Sequence, residues 1–156
     1  DLTVKKEVTG NQGNRNKDFK FTIKVDGAAG EQYYVTFSDG KAPTTLVSGE
    51  AKTITLKDNE TAKIFGLSET DEYTVTEASY ADDGYKTTID NVETLTTTGT
   101  ITGNSDKNIT VVNDKTTNSP TGIFLHVAPY IALIGAAIAS SLLFFRRKRA
   151  KDMDID

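Results

Sequence analysis

Residues 73–77 read Tyr-Thr-Val-Thr-Glu, a run in which large side chains alternate with Thr. Successive side chains of a β-strand point to opposite faces, so this run predicts a strand with one face in a core. Residues 1–115 contain many such short runs, rich in Thr, Val, Ile, Tyr and Phe and separated by Gly, Asn and Asp. The pattern predicts an all-β fold of the sandwich type.

Eight strands are predicted in this region, and no segment before residue 122 has helical periodicity. The four residues 57–60, Lys-Asp-Asn-Glu, predict a hairpin turn because Asn and Asp tolerate positive φ. Residues 91–107 are polar and rich in Thr, which predicts a long loop with room for one edge strand. The predicted strands are Leu2–Val8, Phe19–Val25, Tyr33–Phe37, Lys52–Leu56, Thr61–Phe65, Glu72–Ala78, Tyr85–Ile89 and Ile109–Asn113.

Charge and cysteine content exclude some classes of partner and bond. The chain has no Cys, so disulfides contribute nothing to its stability. Five of the 18 basic and three of the 22 acidic residues lie in residues 146–156, so residues 1–121 carry 13 basic and 19 acidic groups. An acidic domain of this kind does not suit nucleic acid as a partner. No metal site and no cofactor are predicted.

The end of the chain has the composition of a membrane anchor. Residues 116–122 are a short linker, and residues 123–145 contain no formally charged side chain. A run of this length as a helix spans a bilayer core of roughly 30 Å. Residues 146–156 begin with Arg-Arg-Lys-Arg, which predicts a cytoplasmic tail and places residues 1–121 outside. The alternative is a buried core helix. Because residue 1 already lies beside a predicted strand, we expect further sequence upstream.

The linker ends in Pro120, Thr121 and Gly122, immediately before the apolar run. This order of polar linker, Pro-Thr-Gly, apolar span and basic tail resembles the Leu-Pro-x-Thr-Gly-like cell-wall sorting signal of Gram-positive surface proteins. Residues 127–133, Val-Ala-Pro-Tyr-Ile-Ala-Leu, are similar to the tail of streptococcal-type backbone pilins. The alternative is that Pro-Thr-Gly is only a juxtamembrane linker and the protein stays in the membrane.

The resemblance implies that a sortase attacks the carbonyl of Thr121 and releases the chain from Gly122 onward. The acyl group then passes to an amine of peptidoglycan or of a neighbouring pilin subunit. On this resemblance, we expect the protein to be inserted in the membrane only transiently and to end covalently attached to the cell wall at the cell surface.

Three polar residues each lie two positions after an apolar residue, on the same face of a predicted strand. Lys6 falls on the inward face of the first strand and Lys5 on the outward face, because side chains alternate. Glu77 extends the apolar face of residues 73–77, and Asn113 extends that of the last strand. Two alternatives remain: the three residues end their strands on the solvent side, or a bulge turns Lys5 inward instead.

In these residues the chain resembles the collagen-adhesin B-type and backbone-pilin isopeptide domains. Their pattern is a first-strand Lys, a last-strand Asn and an acidic residue in a Tyr-x-Val-x-Glu strand followed by Gly-Tyr, matched here by Lys6, Asn113, Glu77 and residues 84–85. Residues 54–67 also look like the family's mid-domain hairpin. The resemblance implies an Ig-like β-sandwich, followed here by one C-terminal transmembrane helix. It also implies an autocatalytic isopeptide cross-link between Lys6 and Asn113, with Glu77 as the catalytic general acid and base.

Physical chemistry is consistent with that reaction. Burial disfavours charged groups, so a dry interior favours a neutral Lys6 amine and a protonated Glu77. The amine can attack the Asn113 amide, and ammonia leaves. The reaction runs once per molecule, so the chain is not predicted to be an enzyme. We expect a structural surface protein, either the C-terminal domain of a pilin subunit or a wall-anchored stalk. The alternative is the wall-proximal spacer of an adhesin whose ligand-binding region lies upstream.

Overall fold

The computed structural model describes residues 1–103 and 105–117. Within these ranges the chain forms ten β-strands and one short 3₁₀-helix, Ala81–Asp83. The strands are β1 Leu2–Thr9, β2 Phe19–Asp26, β3 Gln32–Phe37, β4 Thr44–Val47, β5 Lys52–Leu56, β6 Thr61–Phe65, β7 Glu72–Glu77, β8 Lys86–Ile89, β9 Thr96–Thr100 and β10 Lys107–Asp114.

The predicted anchor is not covered by these ranges. Among the residues described, no helix is both long and apolar enough to cross a bilayer. The transmembrane helix predicted for residues 123–145 lies outside the described residues, as do the tail at 146–156 and the end of the linker at 118–122.

The strands form two sheets, which confirms the all-β prediction. One sheet has six strands in the order β4-β3-β6-β1-β10-β8, and the other has four in the order β5-β2-β7-β9. Alternate residues of the strands are buried, as in the two longest strands of the first sheet and in β2 of the second. Their apolar side chains form a single core, and residues 1–117 form one compact unit around it.

The first and last strands are direct neighbours within the six-stranded sheet. β1 and β10 run parallel, with Lys6 opposite Val111 and Val8 opposite Asn113. β1 pairs on its other side with β6, and β10 pairs with β8. Parallel strands in one sheet need a long connection between them. Here that connection is nearly the whole domain, so the pairing brings the first and last strands of the domain together.

The predicted hairpin at residues 57–60 is wrong. β5 belongs to the four-stranded sheet and β6 to the six-stranded sheet, so the turn connects the two sheets. The amide of Glu60 donates to the carbonyl of Lys57, as expected for a tight turn, and Asn59 has a φ of 61°. The turn is fixed by β1, because Val8 donates its amide to the Asp58 carboxylate at 2.7 Å. Turn chemistry predicts that the chain reverses direction, but it does not predict which sheet the next strand joins.

Two strands were not assigned from the sequence. β9 lies within the stretch expected to be a loop with room for an edge strand, and it pairs with β7 at the edge of the smaller sheet. β4 has four residues, of which only Leu46 is buried. A single buried residue gives no alternating pattern, so β4 has no periodic signal.

The turn at Asn59 can be tested by substitution. Asn59→Ala should lower the free energy of unfolding by about 1 kcal/mol, because Ala adopts the left-handed conformation at a cost that Gly does not have. Asn59→Gly should change it little. Urea denaturation of both variants measures this, with Asn16→Ala as an exposed control at a position of ordinary φ. Equal midpoints for the Ala and Gly variants would contradict the assignment.

Candidate functional site

The structure buries Lys6 and leaves Lys5 partly exposed. Lys6 lies on the inward face of β1, and its side chain has no solvent exposure. Lys5 points outward and forms a surface ion pair with Glu7, with Nζ and Oε1 2.7 Å apart. β1 therefore has the regular alternation that favoured Lys6, without a bulge that would exchange the two lysines.

Glu77 reaches Lys6 from the opposite sheet. It is the last residue of β7, and its side chain is fully buried. Its Oε1 atom lies 2.9 Å from Nζ of Lys6, so the two form an ion pair between the sheets. The amine also lies 3.4 Å from the carbonyl oxygen of Val111, its neighbour on β10.

Aromatic rings exclude water around the amine. Nζ of Lys6 lies 4.5 Å from the ring centre of Phe19 and 6.0 Å from that of Phe21. Phe19 in turn packs edge-to-face against Tyr80 and Tyr85. Burial among these rings lowers the pKa of Lys6 from 10.5 to about 8, although the negative charge of Glu77 acts in the opposite direction. A useful fraction of the amine is therefore neutral near pH 8.

Asn113 is fully buried, and among residues 1–103 and 105–117 its amide has no hydrogen-bond partner. Within the described residues, neither Nδ2 nor Oδ1 makes a hydrogen bond. Oε1 of Glu77 makes none either, although it lies 2.9 Å from Nζ of Lys6 as an ion pair. A buried polar group without a partner typically costs about 1–3 kcal/mol. Such a cost is unusual in a native core and suggests that the amide is there for another purpose.

The register of β1 and β10 brings Asn113 close to Lys6. Lys6 lies opposite Val111, two residues before Asn113, and the side chains of Lys6 and Asn113 share the inward face. Strand spacing and rise put the two Cα atoms about 8 Å apart, a gap that a Lys side chain can span. The structure thus brings together all three residues that the sequence predicted for this site.

Thr87 also belongs to the site and was missed from the sequence. It lies opposite Asn113 on β8, it is buried, and its hydroxyl donates to Oε2 of Glu77 at 3.2 Å. The sequence did contain a signal, because Thr87 lies between Tyr85 and Ile89 on one face of a predicted strand. The structure buries all three side chains. Thr is common on both faces of strands, so the residue type alone does not draw attention to it.

The remaining predicted site residues, Pro120, Thr121 and Gly122, lie outside the described residues. Across residues 1–103 and 105–117, no group of three or more metal-binding side chains is close enough together to hold an ion.

The chain as a whole can be compared with known proteins. A family model described as "Domain of unknown function (DUF7601)" matches residues 1–115. The chain belongs to this family.

Relatives of this DUF7601 chain include pilus proteins. Over 172 aligned residues it is 37% identical to a pilin of Streptococcus pyogenes serotype M1, covering 96% of this chain and 49% of the pilin. It is 33% identical over 81 residues to the pilus tip adhesin Cpa of Streptococcus pyogenes, covering 52% of this chain and 12% of the adhesin.

A solved structure shows the same fold. The crystal structure of the major pilin from Streptococcus pyogenes superposes with a TM-score of 0.66 at 31% identity, covering 74% of this chain and 47% of the pilin. The DUF7601 chain thus spans about half the length of the pilins that it matches. The predicted resemblance to a Gram-positive pilin-type domain is confirmed at this level.

The lowered pKa of Lys6 predicts a pH dependence of stability in Asn113→Ala, which keeps the ion pair but has no amide to attack. Folded Lys6 releases its proton near pH 8, whereas the unfolded chain holds it until about pH 10.5. The free energy of unfolding should therefore rise between these two pH values, by up to about 3 kcal/mol, and be insensitive to Lys6 below them. Urea unfolding from pH 7 to pH 10 measures it. The matched control is Lys6→Met with Asn113→Ala, and equal slopes in the two proteins would contradict the lowered pKa.

Proposed function

We propose that residues 1–117 are a structural domain of a surface pilus or stalk subunit, in which an isopeptide bond joins Lys6 to Asn113. The observation that carries the proposal is the fully buried Asn113 amide, which has no hydrogen bond to any described residue and lies on the strand adjacent to an amine of lowered pKa. Glu77 contacts that amine and supplies the acid–base group that the reaction needs.

A structural ion pair alone explains less of the site. The pair of Lys6 and Glu77 accounts for two buried charges, but it gives no partner to the amide of Asn113. Buried ion pairs also contribute little to stability once the cost of removing both charges from water is included. A reaction that consumes the unpaired amide accounts for all three residues together.

The reaction starts with proton transfer from the Lys6 ammonium to Glu77, across 2.9 Å. The protonated Glu77 then donates a hydrogen bond to Oδ1 of Asn113, which makes the amide carbon more electrophilic. The neutral amine attacks that carbon from the adjacent strand. Because the fold holds the two groups together, the step is effectively unimolecular.

The second half of the reaction exchanges one nitrogen for another. A bond forms between Nζ of Lys6 and Cγ of Asn113, and the bond between Cγ and Nδ2 breaks. Glu77 takes the second proton from Nζ and delivers one to Nδ2, so ammonia leaves and Glu77 keeps the one proton that it received from the Lys6 ammonium in the first step. The reaction also removes Nδ2, one of the buried atoms without a hydrogen bond.

The bond would protect the domain against tension. Lys6 and Asn113 lie on adjacent parallel strands, and nearly the whole chain of the domain lies between them. Tension applied to β1 and β10 in opposite directions would pass through the new amide and would not reach the residues between. Cross-links that close loops of this length stabilise by a few kcal/mol in loop-entropy models. In a chain without Cys, the bond takes the place of a disulfide.

We also propose that the chain is attached to the cell wall by a sortase. Support comes from the sequence, in which Pro120, Thr121 and Gly122 precede the uncharged residues 123–145 and a basic tail. The acceptor is then an amine of peptidoglycan or of another pilin subunit. The similarity to a streptococcal pilin supports the second acceptor, and the similarity to a pilus tip adhesin supports the alternative function as an adhesin spacer.

Intact-mass measurement of residues 1–117 tests the isopeptide bond. The wild type should be lighter than its sequence by one ammonia, because the reaction loses Nδ2 as ammonia. Glu77→Ala and Asn113→Ala should keep the full sequence mass. Lys5→Ala is the matched control on the same strand, and it should lose ammonia like the wild type. A wild-type domain of full mass would end the isopeptide proposal.

Denaturing gels of wall extracts test the sorting proposal with the full chain. A pilin subunit should give a ladder of covalent multimers, because each transfer joins one subunit to the next. Thr121→Ala should remove the protein from the wall fraction, whereas Thr117→Ala should not. A single wall-linked band would favour the adhesin spacer, and wall attachment of Thr121→Ala would contradict cleavage at this residue.

A further inference from the structure

We infer that Thr87 is a positioning residue for Glu77. Thr87 holds the carboxyl group of Glu77 with Oε1 turned toward Lys6, and it shields this group from a neighbouring surface pocket. This role rests on the proposed isopeptide reaction and adds a fourth residue to it. The Thr87 hydroxyl gains and loses no proton in the reaction, and it acts only through the orientation of Glu77.

The two oxygens of Glu77 have different partners. Oε1 lies 2.9 Å from Nζ of Lys6, and Oε2 accepts a hydrogen bond from Oγ1 of Thr87 at 3.2 Å. The last torsion of a Glu side chain is broad and has weak intrinsic preferences. A donor on one oxygen therefore decides where the other oxygen points. Without this hydroxyl, the carboxyl group could rotate away from the amine and from the Asn113 amide.

The position of Thr87 is itself well fixed. It lies on β8 directly opposite Asn113 of β10, and both side chains face the core. Directly opposite residues of antiparallel strands have Cβ atoms about 4.5–5.5 Å apart. Its β-branched side chain is also stiff about χ1. One rigid hydroxyl thus contacts the carboxyl group and adjoins the amide that this group must activate.

Thr87 lines an open surface pocket of about 420 Å³, whereas Glu77 does not. Tyr85, Thr87 and Leu95 contribute to its lining, and the exposed ion pair of Lys86 and Glu93 lies there as well. Thr87 is 8% exposed, whereas Glu77 behind it is 1% exposed. The Thr87 side chain therefore separates the buried carboxyl group from a space that water can enter. Water at the carboxyl group would compete for its oxygens and weaken the desolvation that activates Lys6.

The rate of ammonia loss tests this role. Residues 1–117, which form a compact unit with their own core, are made by chemical synthesis so that the chain has never folded, kept in denaturant, refolded at pH 8 and followed by intact mass over time. The variants are Thr87→Val, which keeps the shape and removes the hydroxyl, Thr87→Ala, which removes it without bulk, and Thr87→Ser, which retains it. Thr88→Val is the matched control, because the adjacent Thr88 does not share the inward face. Circular dichroism verifies that each variant folds.

Thr87→Val and Thr87→Ala should lose ammonia at least about tenfold more slowly than the wild type, as expected for a lost hydrogen bond to a charged group. Thr87→Ser and Thr88→Val should stay close to the wild-type rate. If Thr87→Val does not fold, Thr87→Ala decides. Wild-type rates in the hydroxyl-free variants, or a Ser variant as slow as they are, would overturn the positioning role. A wild type that never loses ammonia would instead overturn the proposed function.

Discussion

The parallel pairing of β1 with β10 is the constraint on which the site depends. It sets the first and last strands side by side inside the larger sheet, where neither is an edge strand, and its register places Asn113 within reach of Lys6. A shift of one residue would turn every inward side chain of one strand outward. A shift of β1 would turn Lys6 out of the interior, and a shift of β10 would turn Asn113 out of it, so in either case the two would no longer share the inward face. The buried apolar residues that alternate along both strands hold the register against such a shift.

Desolvation and attraction compete at Lys6, and the balance determines what the amine can do. The aromatic rings remove the amine from water, which lowers its pKa, while Glu77 favours the ammonium form. Desolvation is the larger effect, and it brings the pKa to about 8. Without a nearby carboxylate, burying the lysine would lower the stability of the fold. A lysine that stayed in water would instead remain an ammonium and would be unreactive. The site therefore combines partial activation with a fold that can still form.

Alternation along strands was sufficient to predict the inward placement of Lys6, Glu77 and Asn113, because each follows apolar residues at a spacing of two. Most strand positions followed from the same pattern. The failures have a common cause, since the sequence of a strand does not say which strand it pairs with. The turn at residues 57–60 was therefore assigned to a hairpin, although it connects the two sheets. Thr87 was missed for a related reason, because its role comes from lying opposite Asn113 and near Glu77, and both relations are set by tertiary structure.

The common direction of β1 and β10 also determines the direction and spacing of copies of such a domain that are joined in series. A chain that enters along β1 and leaves along β10 exits at the end opposite to its entry, and each of these strands has eight residues. At a rise of about 3.3 Å per residue, the pair sets a step of roughly 26 Å. Copies connected end to end would therefore extend in one direction with a regular spacing. Terminal strands of opposite direction would return the chain to its starting end and give a bundle in place of a fibre.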